Sequence, residues 1–136
     1  MAKNKLLIID DEKDFVETLT ERLEAKGYEI IKAFDGKEGL DKVHTEKPDL
    51  VLLDIAMPEM DGFDVCRKLK IDEAFKKIPV IILTAKFQPY DLKFGMKMGA
   101  EEYITKPVEL NVLTDKIRGL LKKRPNVAKT KNAGVK

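Results

Sequence analysis

Five short apolar runs alternate along the chain with segments whose apolar residues recur three or four positions apart. The runs lie at residues 6–9, 28–33, 50–53, 80–83 and 103–104. Short apolar runs are typical of strands, and alternation with amphipathic segments indicates βα units. The pattern therefore predicts the α/β class, as a doubly wound, five-stranded parallel sheet with five helices. The second run alternates only partly, which favours a place nearer the edge of the sheet.

The helical segments begin and end at residues suited to those positions. The first ends at Gly27, and the fourth has Pro89 in its first turn and ends at Gly99. Its apolar face includes Leu92 and Met96. The other helices are predicted from the spacing of Phe15, Leu19 and Leu23, of Leu40 and Val43, of Val65 and Leu69, and of Leu110, Leu113, Ile117, Leu120 and Leu121.

Polar residues follow four of the five predicted strands. The acidic pair Asp10-Asp11 follows the first strand, Asp54 the third, Thr84 the fourth and Lys106 the fifth. Doubly wound sheets bind ligands in a crevice outside the carboxyl ends of their strands, so one crevice can collect all of these side chains. Asp54 carries the most information, because a carboxylate that closes a buried run needs a compensating partner.

The grouped carboxylates favour a divalent metal ion and phosphoryl chemistry. Clustered acids repel one another, and an oxygen-only ligand set favours Mg²⁺, with Mn²⁺ as a substitute, over zinc. A carboxylate beside Mg²⁺ can act as a nucleophile toward phosphorus. Lys106 would neutralise the transferring oxygens, and Thr84 would donate a hydrogen bond to one of them. Taken singly, each residue has a simpler explanation: Asp10-Asp11 as a helix N-cap, Thr84 as a strand end and Lys106 as a solvated lysine.

The combined motif resembles the response-regulator receiver domain of two-component signalling. The resemblance is carried by Asp10-Asp11, by Asp54 with Met57-Pro58 and Asp61-Gly62 after it, by Thr84-Ala85, and by Tyr103 with Lys106-Pro107. It extends over residues 5–124, which predicts a receiver domain at residues 1–124. The basic remainder, residues 125–136, has no periodicity and is expected to be a disordered tail.

The resemblance implies a role for each matching residue. Asp54 would accept a phosphoryl group from a histidine kinase or histidine phosphotransfer protein, with Lys106 and Thr84 contacting that group. Asp10, Asp11, Asp54 and the backbone carbonyl of Ala56 would hold the Mg²⁺.

The resemblance also implies how the signal leaves the domain. Thr84 and Tyr103 would form the switch, and Lys106-Pro107 would be joined by a cis peptide bond. The surface of helix 4, strand 5 and helix 5 would contact a downstream protein. The chain would then be a signalling switch, whose chemistry is limited to its own phosphorylation and dephosphorylation.

The composition and charge of the chain bear on its partners and its location in the cell. The 136 residues carry a net charge of +2, but residues 122–136 hold six basic residues and no acids, so the remainder carries about −4. A mildly acidic body argues against nucleic-acid binding by the receiver itself. The single Cys66 and the lack of any long apolar stretch predict a cytoplasmic protein that does not enter a membrane.

Other functions remain to be weighed against this prediction. A haloacid-dehalogenase-like phosphatase would require a second Asp two residues after Asp54, where the chain has Ala56. A flavodoxin-like FMN protein would require a Ser, Thr or Gly-rich loop after the first strand, where Asp10 and Asp11 lie. The basic tail could serve as a nucleic-acid arm, and a receiver-shaped module could bind its partner without phosphate.

Overall fold

The structure of the protein is a computed structural model that describes residues 3–57, 62–85 and 89–123. Strands and helices alternate throughout. In chain order the elements are β1 (Lys5–Ile9), α1 (Lys13–Ala25), β2 (Glu29–Ala33), α2 (Gly36–Glu46), β3 (Leu50–Leu53), α3 (Gly62–Ile71), β4 (Val80–Thr84), α4 (Pro89–Lys97), β5 (Glu102–Thr105) and α5 (Leu110–Lys123). The predicted α/β class and its number of strands and helices are confirmed.

All strand pairs are parallel, in the order β2-β1-β3-β4-β5. The central strands β3 and β4 are buried at every position, whereas the edge strands β2 and β5 are mostly half-buried or exposed. This difference follows from their sequences, because strands covered on both faces are continuous apolar runs. The predicted edge position of the second strand is confirmed.

Alternate residues of each strand point to opposite faces of the sheet and build two apolar layers. On one face Leu6 and Ile8 of β1 pack with Val16 of α1 and Leu113 of α5. On the other face the core is formed with α2 and α3, and its buried residues include Leu7, Ile9, Val43, Val65 and Leu69. The two layers cover both faces, so the open edge at the carboxyl ends of the strands remains available for polar residues.

Helix α4 begins at Pro89 as predicted, but the predicted apolar face is turned outward. Its buried residues are Asp91 and Gly95, whereas Leu92 and Met96 are exposed. Gly95 faces the sheet and packs tightly on it: a Cβ there would lie 2.7 Å from Ile82 Cδ1, so a larger residue would require the Ile82 side chain to shift. Close packing of the helix backbone on the sheet therefore determines its orientation.

Two of the predicted boundaries rest on glycine conformation. Gly27 and Gly99 follow α1 and α4 with φ of 98° and 105°, in the left-handed region that glycine adopts without strain. Residues 125–136, and Pro58 and Asp61 of the loop motif, lie outside the described residues. Among the helices of the described ranges, none is long and apolar enough to cross a membrane.

Candidate functional site

The backbone at the carboxyl edge of the sheet extends the strand ladders into the site. The Asp10 N–H donates to Ala33 O at 3.1 Å, and the Asp54 N–H donates to Ile9 O at 3.0 Å. The Lys106 N–H donates to Thr84 O at 2.8 Å. These bonds anchor Asp10, Asp54 and Lys106 directly beyond their strands, at the edge where Thr84 ends β4. The structure therefore brings four of the predicted side chains to one edge, whereas Asp11, predicted with them, is exposed.

Asp10 is buried, with 2% of its surface exposed. Its Oδ1 accepts a hydrogen bond from the Glu12 N–H at 2.9 Å, and its Oδ2 lies 2.8 Å from Lys106 Nζ. Burial raises the pKa of Asp10 above its ordinary value of 3.8, and the nearby Asp54 carboxylate raises this pKa further. The bonds from Lys106 and from the Glu12 N–H act in the opposite direction but do not cancel the effect of burial.

Asp54 occupies the centre of the site and is 4% exposed. Its Oδ1 accepts a hydrogen bond from the Ala56 N–H at 3.0 Å, and its Oδ2 lies 3.9 Å from Lys106 Nζ. Gly62 closes the loop beneath it, since a Cβ there would collide with the carbonyl oxygen of Asp54 and with Ile55 Cα. The carboxylate is thus held in one orientation, with one oxygen bonded to its own loop and the other directed toward the lysine.

Lys106 is the cation that the described residues bring to this site, and only 10% of its side chain is exposed. Burial by itself would lower its pKa, but the hydrogen bonds to Asp10 and Glu12, together with the negative charges of Asp10 and Asp54, outweigh burial and raise the pKa above its ordinary value of 10.5. The Glu12 carboxylate is 2.5 Å from the ammonium, which also lies 4.1 Å from the centre of the Phe15 ring. The lysine is therefore charged at neutral pH, and the Lys106-Pro107 peptide bond is cis, as predicted.

The acids that lie together are Asp10, Glu12 and Asp54, whose nearest oxygens are all within 4.8 Å of one another. Asp11, predicted as a metal ligand, is exposed and is not part of this group. Glu12 was not predicted. It lies in the same loop, two residues after Asp10, and this proximity was the only signal in the sequence. Proximity alone is not sufficient to predict a site residue, because many side chains of such a loop point to solvent.

This set of donors fits a hard divalent cation. All three acids offer oxygen, the ligand type that Mg²⁺ and Mn²⁺ prefer, and neither Cys nor His belongs to the group. Among the described residues, three carboxylates surround one ammonium and leave an excess of negative charge, and repulsion from Asp54 adds to the effect of burial in raising the pKa of Asp10. The described residues therefore form an acidic cluster that could hold such an ion, with Ala56 beside it at the surface.

Thr84 and Tyr103 lie on neighbouring strands on the side of the sheet that faces α4. Thr84 is fully buried at the end of β4, two residues after Ile82, which pairs with Tyr103 in the register. The Tyr103 ring is half-buried, and its Cδ2 would lie 3.3 Å from a Cβ at Gly95. Burial, with the charges of Asp91 and Asp54, raises the pKa of Tyr103 to about 12.

Sequence comparison identifies the family to which the chain is similar. The profile of the response regulator receiver domain matches residues 6–118. The alkaline phosphatase synthesis transcriptional regulatory protein PhoP of Bacillus subtilis is 39% identical over 119 residues, which cover 88% of this chain and 49% of that protein. The chain thus spans about half the length of the curated relatives that it matches.

Solved structures agree with that match. A CheY-like receiver domain protein from Methanospirillum hungatei superposes with a TM-score of 0.84 at 30% identity, covering 90% of this chain and 97% of that one. The receiver domain of a histidine kinase from Syntrophus aciditrophicus has a TM-score of 0.82 at 36% identity, covering 88% and 91%. With the strand order and the acidic edge described above, these similarities show that the chain belongs to the response regulator receiver domain family of two-component signalling.

Proposed function

We propose that Asp54 accepts a phosphoryl group in a magnesium-dependent reaction, and that this modification changes the affinity of the domain for a downstream protein. The observation that carries the proposal is the setting of the Asp54 carboxylate. It is buried at the end of β3, one oxygen is held by the Ala56 N–H, and the other is directed toward the Lys106 ammonium. A fixed carboxylate with one oxygen available beside a cation is suited to nucleophilic attack on phosphorus.

The proposed donor is a phosphohistidine on a histidine kinase or a histidine phosphotransfer protein. Asp54 Oδ2 attacks the phosphorus atom and forms a new oxygen–phosphorus bond. The bond between phosphorus and the histidine nitrogen breaks, and its electron pair leaves with the imidazole. Lys106 is placed to neutralise the transferred oxygens, and the Thr84 hydroxyl is placed one strand away to donate a hydrogen bond to one of them.

The acidic cluster supplies two of the ligands that we propose for the metal ion, and the other two come from residues next to it in the sequence. Asp10 and Asp54 would hold it together with Asp11 and the Ala56 carbonyl, and Mn²⁺ could replace Mg²⁺. When bound, Mg²⁺ neutralises the carboxylates and the phosphoryl oxygens so that two anionic groups can approach one another. Burial of Asp10 and Asp54 supports this assignment, since buried acids that repel one another gain most from a cation.

We propose that the phosphoryl group is sensed through Thr84 and Tyr103. Both residues lie on the face of the sheet that α4 covers, and Gly95 lets the α4 backbone pack closely on the Tyr103 ring, since a Cβ there would lie only 3.3 Å from Tyr103 Cδ2. Movement of Thr84 toward the phosphoryl group would let the ring turn inward, which would alter the α4 surface. The protein would act as a switch and not as an enzyme with a separate substrate, because its chemistry ends with its own dephosphorylation.

Two surfaces would contact partners. The outer face of α4 exposes Tyr90 (69%), Phe94 (45%) and Met96 (44%), an unusual amount of apolar surface that suits a downstream protein contacting α4, β5 and α5. A separate cavity of about 560 Å³ opens beside Lys106 between α1 and the start of α5. Phe15 and Pro107 line it, and its position next to the site suits the donor protein.

We also propose a cellular location and a domain organisation for this reaction. PhoP is by name a transcriptional regulator, but the match covers only its receiver-sized half, so we assign no nucleic-acid binding to the receiver itself. The buried free thiol of Cys66 is compatible with the reducing cytoplasm that we propose as the location. We propose a receiver domain at residues 1–124, followed by a basic tail.

Mass spectrometry of the intact protein tests the proposal. After incubation with acetyl phosphate and Mg²⁺, the native chain should gain one phosphoryl group, and it should gain none with EDTA. Asp54→Asn should remain unmodified, while Asp64→Asn, an exposed acid in α3, should react like the native chain. A folded native chain that never gains phosphate would favour a receiver-shaped binding module that works without it.

A further inference from the structure

Lys106 is bound on the side of the site away from the proposed phosphoryl acceptor. Its Nζ is 2.8 Å from Asp10 and 2.5 Å from Glu12, but 3.9 Å from Asp54, which is beyond hydrogen-bond range. An ammonium group has three hydrogens, and Asp10 and Glu12 take two of them. In the conformation described, therefore, the lysine is not yet in contact with the carboxylate that it would serve.

The aromatic ring of Phe15 closes this arrangement. Lys106 Nζ lies 4.1 Å from the ring centre, well within the roughly 6 Å over which the face of a ring attracts a cation. Phe15 belongs to α1, and its half-buried ring packs against the apolar layer beneath that helix. The ring is thus fixed by the helix, and together with Glu12 and Asp10 it surrounds the ammonium group.

Glu12 is placed to bind the lysine instead of supporting its own helix. It occupies the N-cap position of α1, but its side chain makes no capping hydrogen bond. Instead it extends across to Lys106, ninety-four residues away in the sequence. The side chain of Glu12 therefore contributes to the position of Lys106 and not to the end of α1. Its removal does not deprive the helix of a cap.

We propose that Glu12 and Phe15 are positioning residues that hold Lys106 in a resting position and so oppose its transfer to a phosphoryl group on Asp54. The inference rests on the proposed function, since it assumes that Lys106 contacts the phosphoryl group. Contacts made only in the resting position must be broken when the lysine moves, so they lower the apparent affinity for phosphate at Asp54. Weakening either contact should therefore favour the phosphorylated conformation.

The resting position can be tested without phosphorylation. A cation over a ring experiences the ring current, so the ε-methylene protons of Lys106 should resonate upfield of those of other lysines in the NMR spectrum. The signal is assigned by its loss in Lys106→Arg. The upfield shift should disappear in Phe15→Leu and persist in Phe34→Leu, a control in which the affected ring faces Lys13 at 5.8 Å. An unshifted Lys106 signal in the native protein would overturn the proposed hold, whatever the fate of Asp54.

The energetic consequence is tested with beryllofluoride, a phosphoryl mimic, at saturating Mg²⁺. Phe15→Leu should bind it about two- to fivefold more tightly, the range expected for one cation–π contact at a partly exposed site. The Mg²⁺ affinity of this variant should be unchanged, because Phe15 offers no ligand atom. Binding of beryllofluoride should also move the native Lys106 signal out of the upfield region.

Glu12→Gln provides the second, independent variant. Its Mg²⁺ affinity is measured first, because Glu12 belongs to the acidic cluster, and beryllofluoride is then titrated at saturating Mg²⁺. A similar gain in affinity is expected, whereas Asp14→Asn, which removes an exposed acid from the same end of α1, should show none. Unchanged or weaker beryllofluoride binding in both Phe15→Leu and Glu12→Gln would refute the proposal.

Discussion

Replacing Asp10 by Asn should affect the stability of the protein and its binding of Mg²⁺ in opposite directions. Asn keeps an oxygen that can accept the Glu12 N–H, now bonded to Asp10 Oδ1 at 2.9 Å, but it removes a buried negative charge. Lys106 retains Glu12 and can approach Asp54, so it is not left without a counter-charge. We therefore expect the variant to be more stable than the native protein when no Mg²⁺ is present.

The magnitude follows from the distances around Asp10. At an effective dielectric constant of about 20, the attraction to Lys106 at 2.8 Å is worth about 6 kcal/mol. Repulsion from Asp54, no farther than 4.8 Å, offsets at least about 3.5 kcal/mol of this. Removing an ion from water costs several kcal/mol, which exceeds the remaining attraction. We expect Asp10→Asn to raise the free energy of unfolding by about 1 kcal/mol and the thermal midpoint by about 3–5 °C.

The stability gained by Asp10→Asn should increase as the pH rises. Because burial raises the pKa of Asp10 in the folded state, the folded protein binds a proton at this carboxylate more tightly than the unfolded chain does. The native protein then loses stability as pH rises from the unfolded pKa near 3.8 through the raised folded pKa, and the loss is complete above it. The advantage of Asp10→Asn should therefore be small near pH 3.8 and should reach its full size only above the raised folded pKa of Asp10.

Circular dichroism during thermal and urea unfolding measures these changes, since the chain has no Trp to report by fluorescence. Mg²⁺ at ten times its dissociation constant should stabilise the native protein by about 1.4 kcal/mol, and Asp10→Asn should lose most of this gain. Asp14→Asn serves as the control for a changed charge near α1. An Asp10→Asn protein that is less stable without Mg²⁺, or equally stabilised by it, would refute the reasoning.

Three further changes test particular contacts. Gly62→Ala should destabilise the protein by about 1–3 kcal/mol in urea unfolding, because a Cβ would collide with the Asp54 carbonyl oxygen and Ile55 Cα. Gly119→Ala in α5 should stabilise it by about 0.5–1 kcal/mol, because alanine is favoured over glycine within a helix and no described atom outside the adjoining helix backbone lies within 4 Å of the new methyl group. Equal effects of the two changes would contradict both predictions. Ultraviolet titration should show a tyrosine of pKa about 12 that is missing in Tyr103→Phe. The native protein should lose stability above pH 10 as that pKa is approached, and Tyr103→Phe should lose less.

The fold could be predicted because burial on both faces leaves a strong mark in the sequence. Strands β3 and β4 are continuous apolar runs, and the polar residues that follow them interrupt those runs abruptly. Parallel strands bring their carboxyl ends to one edge, so Asp54 and Lys106 could be placed in the same crevice without any knowledge of distances.

Other features depend on contacts that no local pattern encodes. Helix α4 presents Leu92 and Met96 to solvent, because Gly95 must face the sheet, and apolar spacing predicted the reverse. Glu12 joins the site through the direction of one long side chain in a loop. The position of Lys106 over Phe15 depends on packing between α1 and the loop after β5. Such choices are made by tertiary packing, which overrides local preference.

The central claim is that Asp54 carries the phosphoryl group, and locating the modified residue tests it most directly. Borohydride reduces an aspartyl phosphate to homoserine, which peptide mass spectrometry detects at a defined position. After treatment with acetyl phosphate and Mg²⁺, the account predicts homoserine at position 54 and at no other aspartate. Homoserine at position 10 or 11, with position 54 unmodified, would contradict it.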